Sequence, residues 1–214
     1  MKQLPRATIH LTSIVSNWQA LDGLHPGATT AAVVKADAYG LGAVPVSRAL
    51  LRAGCSTFFV AYLEEALAVR KALGLGPRIF VLNGPARAEM SAYVAAGITA
   101  VLSSPDHLKA WASAPKGTCA LHFDTGMNRL GLKTATLATT LAALQRLHPV
   151  LVMSHLACAD ETGNPMNSAQ RKAFDDITSA FADTPASLSN SAGCYLGKAF
   201  GYDLTRPGIA LYGG

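Results

Sequence analysis

The chain has 214 residues, 50% hydrophobic and only 14% charged, which excludes a disordered chain or a disulfide-dependent mini-protein and leaves one large domain or two modest ones. Eighteen Lys+Arg against thirteen Asp+Glu give a formal charge of +5. The basic residues are scattered and Arg70-Lys71 is the densest pair, so no nucleic-acid partner is implied.

No secretory leader is legible, and no apolar run approaches the roughly 18 residues of a membrane span, so a cytoplasmic protein without a membrane partner is expected. Cys55, Cys119, Cys158 and Cys194 lie far apart with no Cys-x-x-Cys pair. They read as reduced, buried thiols, and no metal site is expected.

In chain order, residues 6–11, with alternating Thr8 and His10, read as a leading strand that needs a partner sheet. Beyond it, apolar β-branched runs alternate with Ala/Leu-rich stretches. Strands are expected at 31–35, 57–61, 78–82, 99–102, 119–124, 150–155, 186–190 and 204–211. Helices are expected at 44–53, 63–73, 87–96, 105–113, 136–147, 167–182 and 193–200. Gly54, Gly74 and Gly97 close helices, and Asp106 and Asn167 sit near helix starts as caps. About eight strands in alternation with about seven helices imply an α/β fold, a (β/α)₈ TIM-like barrel, rather than an open doubly wound sheet. No G-x-G-x-x-G fingerprint follows the first strand. The expected organisation is a leading strand over residues 1–12 and a barrel over 13–214.

Function in such a barrel collects where strands end. The first strand ends in Val33-Val34-Lys35-Ala36-Asp37-Ala38-Tyr39-Gly40. Lys35 at its tip reads either as a solvated strand end or as a desolvated amine that forms a Schiff base. The fifth ends in His122-Phe123-Asp124-Thr125-Gly126-Met127-Asn128-Arg129. Arg129 suits a carboxylate substrate, or else pairs with Asp124 to stiffen the loop. His155, ending the sixth, reads as a core histidine or a site residue. Asn190-Ser191-Ala192-Gly193 before a short helix, and Arg206-Pro207-Gly208-Ile209 in the eighth strand, supply the parts of a phosphate cradle. A Schiff-base lysine facing a phosphate cradle points to pyridoxal phosphate.

Taken in order, Val34-Lys35-Ala36-Asp37-Ala38-Tyr39-Gly40, Asp124-Thr125-Gly126-Met127-Asn128-Arg129-Leu130-Gly131, Ser154-His155-Leu156-Ala157, Asn190-Ser191 and Arg206-Pro207-Gly208-Ile209-Ala210-Leu211-Tyr212-Gly213 resemble bacterial alanine racemase. That resemblance implies a pyridoxal 5'-phosphate enzyme that interconverts L-alanine and D-alanine for cell-wall peptidoglycan and works as a homodimer. By resemblance Lys35 carries the cofactor and moves the α-proton on one face. Tyr39, Asn190, Ser191, Gly208 and Ile209 hold its phosphate side. Arg206 faces the pyridine nitrogen, His155 orients Arg206, and Arg129 meets the cofactor's phenolic oxygen near the substrate carboxylate.

Two departures stand out: Leu41 occupies a position that is usually His, and His122 occupies that of a lysine carbamylated in many members. The resemblance further implies a following β domain that delivers the second catalytic tyrosine and pairs with the leading strand. A chain ending at Gly214 is therefore expected to be the barrel portion, without that tyrosine. The alternative is a stand-alone pyridoxal-phosphate barrel with a binding or homeostasis role.

Overall fold

The computed structural model describes residues 6–112 and 117–214. The first five residues of the expected leading segment and residue 113 of the expected helix 105–113 lie outside the described residues.

The elements in order are α1 (Leu11–Asp22), β1 (Thr29–Thr30), β2 (Ala32–Val33), α2 (Lys35–Tyr39), α3 (Ala43–Arg52), β3 (Thr57–Val60), α4 (Leu63–Leu73), β4 (Arg78–Val81), α5 (Met90–Ala95), β5 (Thr99–Leu102) and α6 (Pro105–Ala112). Then follow β6 (Cys119–Asp124), β7 (Leu132–Lys133), α7 (Leu137–Gln145), β8 (Val152–Met153), α8 (Pro165–Ala180), β9 (Ala186–Ser187) and β10 (Leu204–Thr205). All observed pairings are parallel. One sheet runs β2-β3-β4-β5-β6-β8-β9 with β7 beside β6, and β1 pairs with β10. Parallel strands need crossovers, and the helices supply them.

The sheet is apolar on both faces. Ala31, Val33, Phe59, Phe80, Val101, Ala120, Leu151, Met153 and Leu204 form one cluster on its inner face, where the Phe59 and Phe80 rings stack 4.6 Å apart. The alternate strand residues, among them Phe58, Val60, Ile79 and Leu121, pack outward against the helices. Residues buried on both faces read as continuous apolar runs, which is why the strands were legible.

Arg70 staples the wall. Its buried guanidinium donates to the carbonyls of Gly74, Pro77, Ala96 and Gly97, satisfying chain ends after α4 and α5 that those helices leave open.

Four expectations are corrected. The expected leading strand is cut short at its end: Leu11 begins α1, and residues 6–10 have no ladder partner among the described residues. That helix was not anticipated, although Ile14, Trp18 and Leu21 bury one face at helical spacing. Trp18 donates to the Thr30 carbonyl and Asn17 to the Leu211 carbonyl, so α1 ties the first strand to the last segment. The strand over 204–211 stops at Thr205, because Pro207 has no N–H to continue a ladder and Ile209–Tyr212 closes into a 3₁₀ turn. The helix over 193–200 is two 3₁₀ turns, Ala192–Tyr195 and Lys198–Phe200, broken at Gly197 with φ +98°. Finally, α8 begins earlier than expected. Asn164, not Asn167, is its cap and accepts the Met166 amide ahead of Pro165.

Candidate active site

The strand period of two builds the site. Side chains two residues apart share a face, and the apolar inner cluster contains Val33, Ala120, Met153 and Leu204. Two residues further along each segment stand Lys35, His122, His155 and Arg206, all four lining one cavity of about 590 Å³. Four basic side chains therefore sit directly above an apolar plug, and Arg206 lies with its guanidinium 5.9 Å from the centre of the Phe59 ring beneath it.

Each of the residues singled out in the sequence (Lys35, Tyr39, Arg129, His155, Asn190, Ser191, Arg206, Gly208 and Ile209) lines this same cavity. Tyr62, Asn83 and Asp160 line it as well without having been singled out, and so does His122, which the sequence marks only as a departure from the family pattern. His122 could have been found by counting two from Ala120, whereas Tyr62 and Asn83 carry no sequence signal beyond following a strand.

Positive charge dominates the cavity. Burial lowers the Lys35 amine from its ordinary range, and Arg129 lowers it further while Glu65 opposes. Burial, then Arg206 and Arg129, push both His122 and His155 down to about 3, so both rings are neutral at pH 7. Burial also draws Arg206 down, but a guanidinium remains charged at neutral pH. Such a field in a low-dielectric pocket suits a ligand with several negative charges.

The first strand delivers its lysine through an unusual turn. Ala36, Asp37, Ala38 and Tyr39 have φ of 52°, 53°, 54° and 56°, so four consecutive non-glycine residues of α2 wind left-handed. Each costs on the order of 1–2 kcal/mol, and strain of this kind gathers where function over-determines the backbone. Glu65 accepts the Ala36 amide at 2.6 Å, Asp37 accepts the Ala43 amide at 2.6 Å, and Gly40 relieves the turn with φ +86°. The result carries Tyr39 across to Tyr212, ring centres 5.0 Å apart, while the Tyr212 hydroxyl donates to the Val33 carbonyl.

Arg206 is held from several sides. It donates to Ser187 Oγ and to the carbonyls of Ser154 and Leu188. The hydrogen bond to His155 that the resemblance implied is not among these bonds. Ser154 Oγ in turn shares a 2.7 Å hydrogen bond with Thr125 Oγ1. Gln170, fully buried on α8, donates to Thr125 Oγ1 and the His155 carbonyl and accepts the Ala157 amide. This clamp joins the ends of β6 and β8, and nothing in the sequence distinguished Gln170 from the other polar residues of its helix.

Asp124 accepts the amides of Gly126 and Asn128, both at 3.0 Å. It stiffens the loop through the backbone and forms no ion pair with Arg129 among the described residues. Arg129 is exposed at the cavity mouth, free to meet a carboxylate. Within the same loop a Cβ at Gly131, where φ is +128°, would overlap the Asp124 backbone, which explains the glycine.

On the opposite wall, Ser191 Oγ accepts the amides of Gly208 at 2.8 Å and Ala210 at 3.2 Å. Among the described hydrogen bonds, the amides of Ala192 and Ile209, which open two 3₁₀ turns, have no acceptor. A Cβ at Gly208 would overlap the Tyr39 hydroxyl. Free amides, a hydroxyl and a glycine-cleared floor thus converge in a shape that fits a phosphate.

With that geometry in place, the comparisons are specific. The family described as alanine racemase, N-terminal domain, matches residues 9–214. Alanine racemase of Rhodospirillum rubrum is 47% identical over 97% of this chain and 58% of that protein. The catabolic alanine racemase of Mesorhizobium japonicum is 47% identical over 96% of this chain and 56% of its own length. Among solved structures, alanine racemase from Bartonella henselae with covalently bound pyridoxal phosphate superposes with a TM-score of 0.91 at 34% identity, covering 98% of this chain and 64% of that one. The biosynthetic alanine racemase from Pseudomonas aeruginosa gives 0.88 at 34% identity, covering 95% and 58%. The chain thus spans somewhat over half the length of the relatives it matches.

Proposed function

On the premise that the chain belongs to the alanine racemase family through its N-terminal domain, we propose that it is the pyridoxal-phosphate-binding part of an enzyme that interconverts L-alanine and D-alanine. The observation that carries this reading is the convergence in one cavity of Lys35, Arg206 and the cradle around Ser191 and Gly208. The fold read with it is a closed (β/α)₈ barrel. Pairing of β1 with β10, and backbone bonds from Asp203 to Ala186 and from Arg206 to Ser189, support closure.

Bound pyridoxal phosphate supplies an electron sink that acidifies the amino acid's Cα–H. Lys35 would hold its aldehyde end, and Tyr39, Asn190, Ser191, Gly208 and Ile209 its phosphate side. Arg206 would face the ring nitrogen with a group that donates a hydrogen bond but keeps its proton at neutral pH. Its anchors on Ser187, Ser154 and Leu188 fix that orientation. Arg129 would bind the alanine carboxylate, positioning Cα near Lys35 Nζ. Lys35, with its amine lowered by burial, then takes or returns the α-proton on its own face.

Racemisation requires a second proton acceptor on the opposite face, which a following domain would supply. Residues 6–10, without a ladder partner among the described residues, would pair there. The full enzyme is read as a cytoplasmic homodimer, and no helix among the described residues is long and apolar enough to cross a membrane.

The test is α-proton exchange of alanine in ²H₂O, followed by NMR, with the chain and pyridoxal phosphate present. The reading predicts exchange well above that of free cofactor and its loss in Lys35→Ala. Exchange no faster than with free pyridoxal phosphate would overturn it.

A further inference from the structure

The strained turn that presents Lys35 has a clamp that the family motifs leave out. Glu65 lies in the first turn of α4, outside the cavity's lining. Its Oε1 accepts the Ala36 amide at 2.6 Å, and its Oε2 accepts the amides of Ala61 at 2.7 Å and Tyr62 at 3.2 Å. Ala36 directly follows Lys35, and Ala61 directly follows β3. A single carboxylate therefore bonds the two chain segments that leave adjacent strands of the sheet, using both oxygens.

The requirement for such a clamp is physical. Ala36 is the first of the four left-handed residues, and a backbone wound against its preferred hand is retained only where surrounding contacts over-determine it. An amide donating to an ionised carboxylate makes a short, charge-assisted bond. Only a carboxylate gives both segments an acceptor oxygen, since a carboxamide has one oxygen and two donor hydrogens. The same carboxylate favours the Lys35 ammonium electrostatically, against Arg129 from the loop after β6, and the lysine charge in turn disfavours a proton on His155 beyond β8.

The structure assigns Glu65 the part of a positioning residue that holds the left-handed turn and thereby sets the place of Lys35 Nζ. This rests on the reading of Lys35 as the cofactor lysine, so the test carries one readout that needs no cofactor. Glu65 contributes position through the Ala36 amide and charge through proximity, and two variants separate these contributions. Glu65→Gln keeps the size, loses one acceptor and removes the charge. Glu65→Asp keeps the charge and shortens the reach by one methylene.

The cofactor-free readout is competitive acetylation of the folded chain with acetic anhydride across pH 6–11, with Lys35 followed by peptide mass spectrometry. In Glu65→Gln the labelling midpoint of Lys35 is expected to fall, because the carboxylate that favours the ammonium is gone. The second readout is saturation of the visible band formed with pyridoxal phosphate, for which both variants are expected to bind at least tenfold more weakly per folded molecule. Unchanged labelling and unchanged affinity in Glu65→Gln, even with a lowered melting temperature, would reduce Glu65 to a helix cap and overturn the proposal. Were Glu65→Gln not to fold, an unchanged affinity in Glu65→Asp would overturn it alone. Failure of the reading beneath it is recognised separately, as a wild-type chain that forms no band at Lys35 while the labelling midpoint still moves in Glu65→Gln.

Discussion

Ser191 Oγ accepts the Gly208 amide at 2.8 Å, joining the segment after β9 to the one after β10 across 17 residues of chain. Removing the hydroxyl leaves the amides of Gly208 and Ala210 without their acceptor. Ser191→Ala is expected to destabilise the chain by about 1–3 kcal/mol and to weaken pyridoxal phosphate binding. Gly208→Ala should weaken binding more strongly, because the new methyl displaces Tyr39. Absorbance titrations of both variants, normalised to the folded fraction, check the order.

Arg206 is buried, and among the described hydrogen bonds no other donor meets its three acceptors. Arg206→Met, similar in length but without donors, is expected to cost about 3 kcal/mol by urea denaturation. Its second effect is electrostatic: Arg206 is the largest charge depressing His155 after burial itself. The His155 ring should therefore titrate at a higher pH in Arg206→Met, as read from its NMR chemical shifts.

The buried histidines set the acid limb of stability. With His122 and His155 both near 3 in the fold and near 6.5 in an unfolded chain, the unfolded state binds the extra protons between those values. The contribution of these two rings to stability is thus complete above about pH 6.5 and is lost as pH falls toward 3. The slope within that window approaches about 1.4 kcal/mol per pH unit for each histidine. Urea midpoints between pH 4.5 and 7.5 measure it. His122→Phe, which removes one such group, should flatten the slope.

Arg70 provides a contrast outside the site. Losing its four carbonyl contacts in Arg70→Met should cost about 3 kcal/mol or more. The pyridoxal phosphate affinity of the molecules that remain folded should be unchanged. A matched loss of affinity would mean that the outer wall and the site are coupled.

Legibility in the sequence followed the physics of each element. Buried parallel strands such as 57–60 and 119–124 declare themselves as apolar runs, and the site residues follow by counting two past the inner apolar positions. Helix α1 lies behind a competing local pattern: the alternation of Thr8 and His10 reads as a strand running into Leu11, although Ile14, Trp18 and Leu21 stand at helical spacing on one face. The last strand ends sooner than its apolar run because Pro207 has no N–H for a ladder and the chain then closes into the 3₁₀ turn at Ile209–Tyr212. Pairing of β1 with β10, the Glu65 clamp and the Gln170 clamp depend on contacts distant in sequence, which no local pattern reports. The left-handed turn at 36–39 contradicts local propensity outright, because alanine and tyrosine have no preference for it.

The most direct test of the account is borohydride reduction of the chain with pyridoxal phosphate, followed by peptide mapping of the modified lysine across pH. The account predicts one stoichiometric adduct, on Lys35, with a yield that rises with pH through a midpoint below the ordinary lysine value of 10.5. Capture requires the neutral amine, which burial and Arg129 favour. An adduct spread over several surface lysines, or a midpoint at the ordinary lysine value, would contradict it.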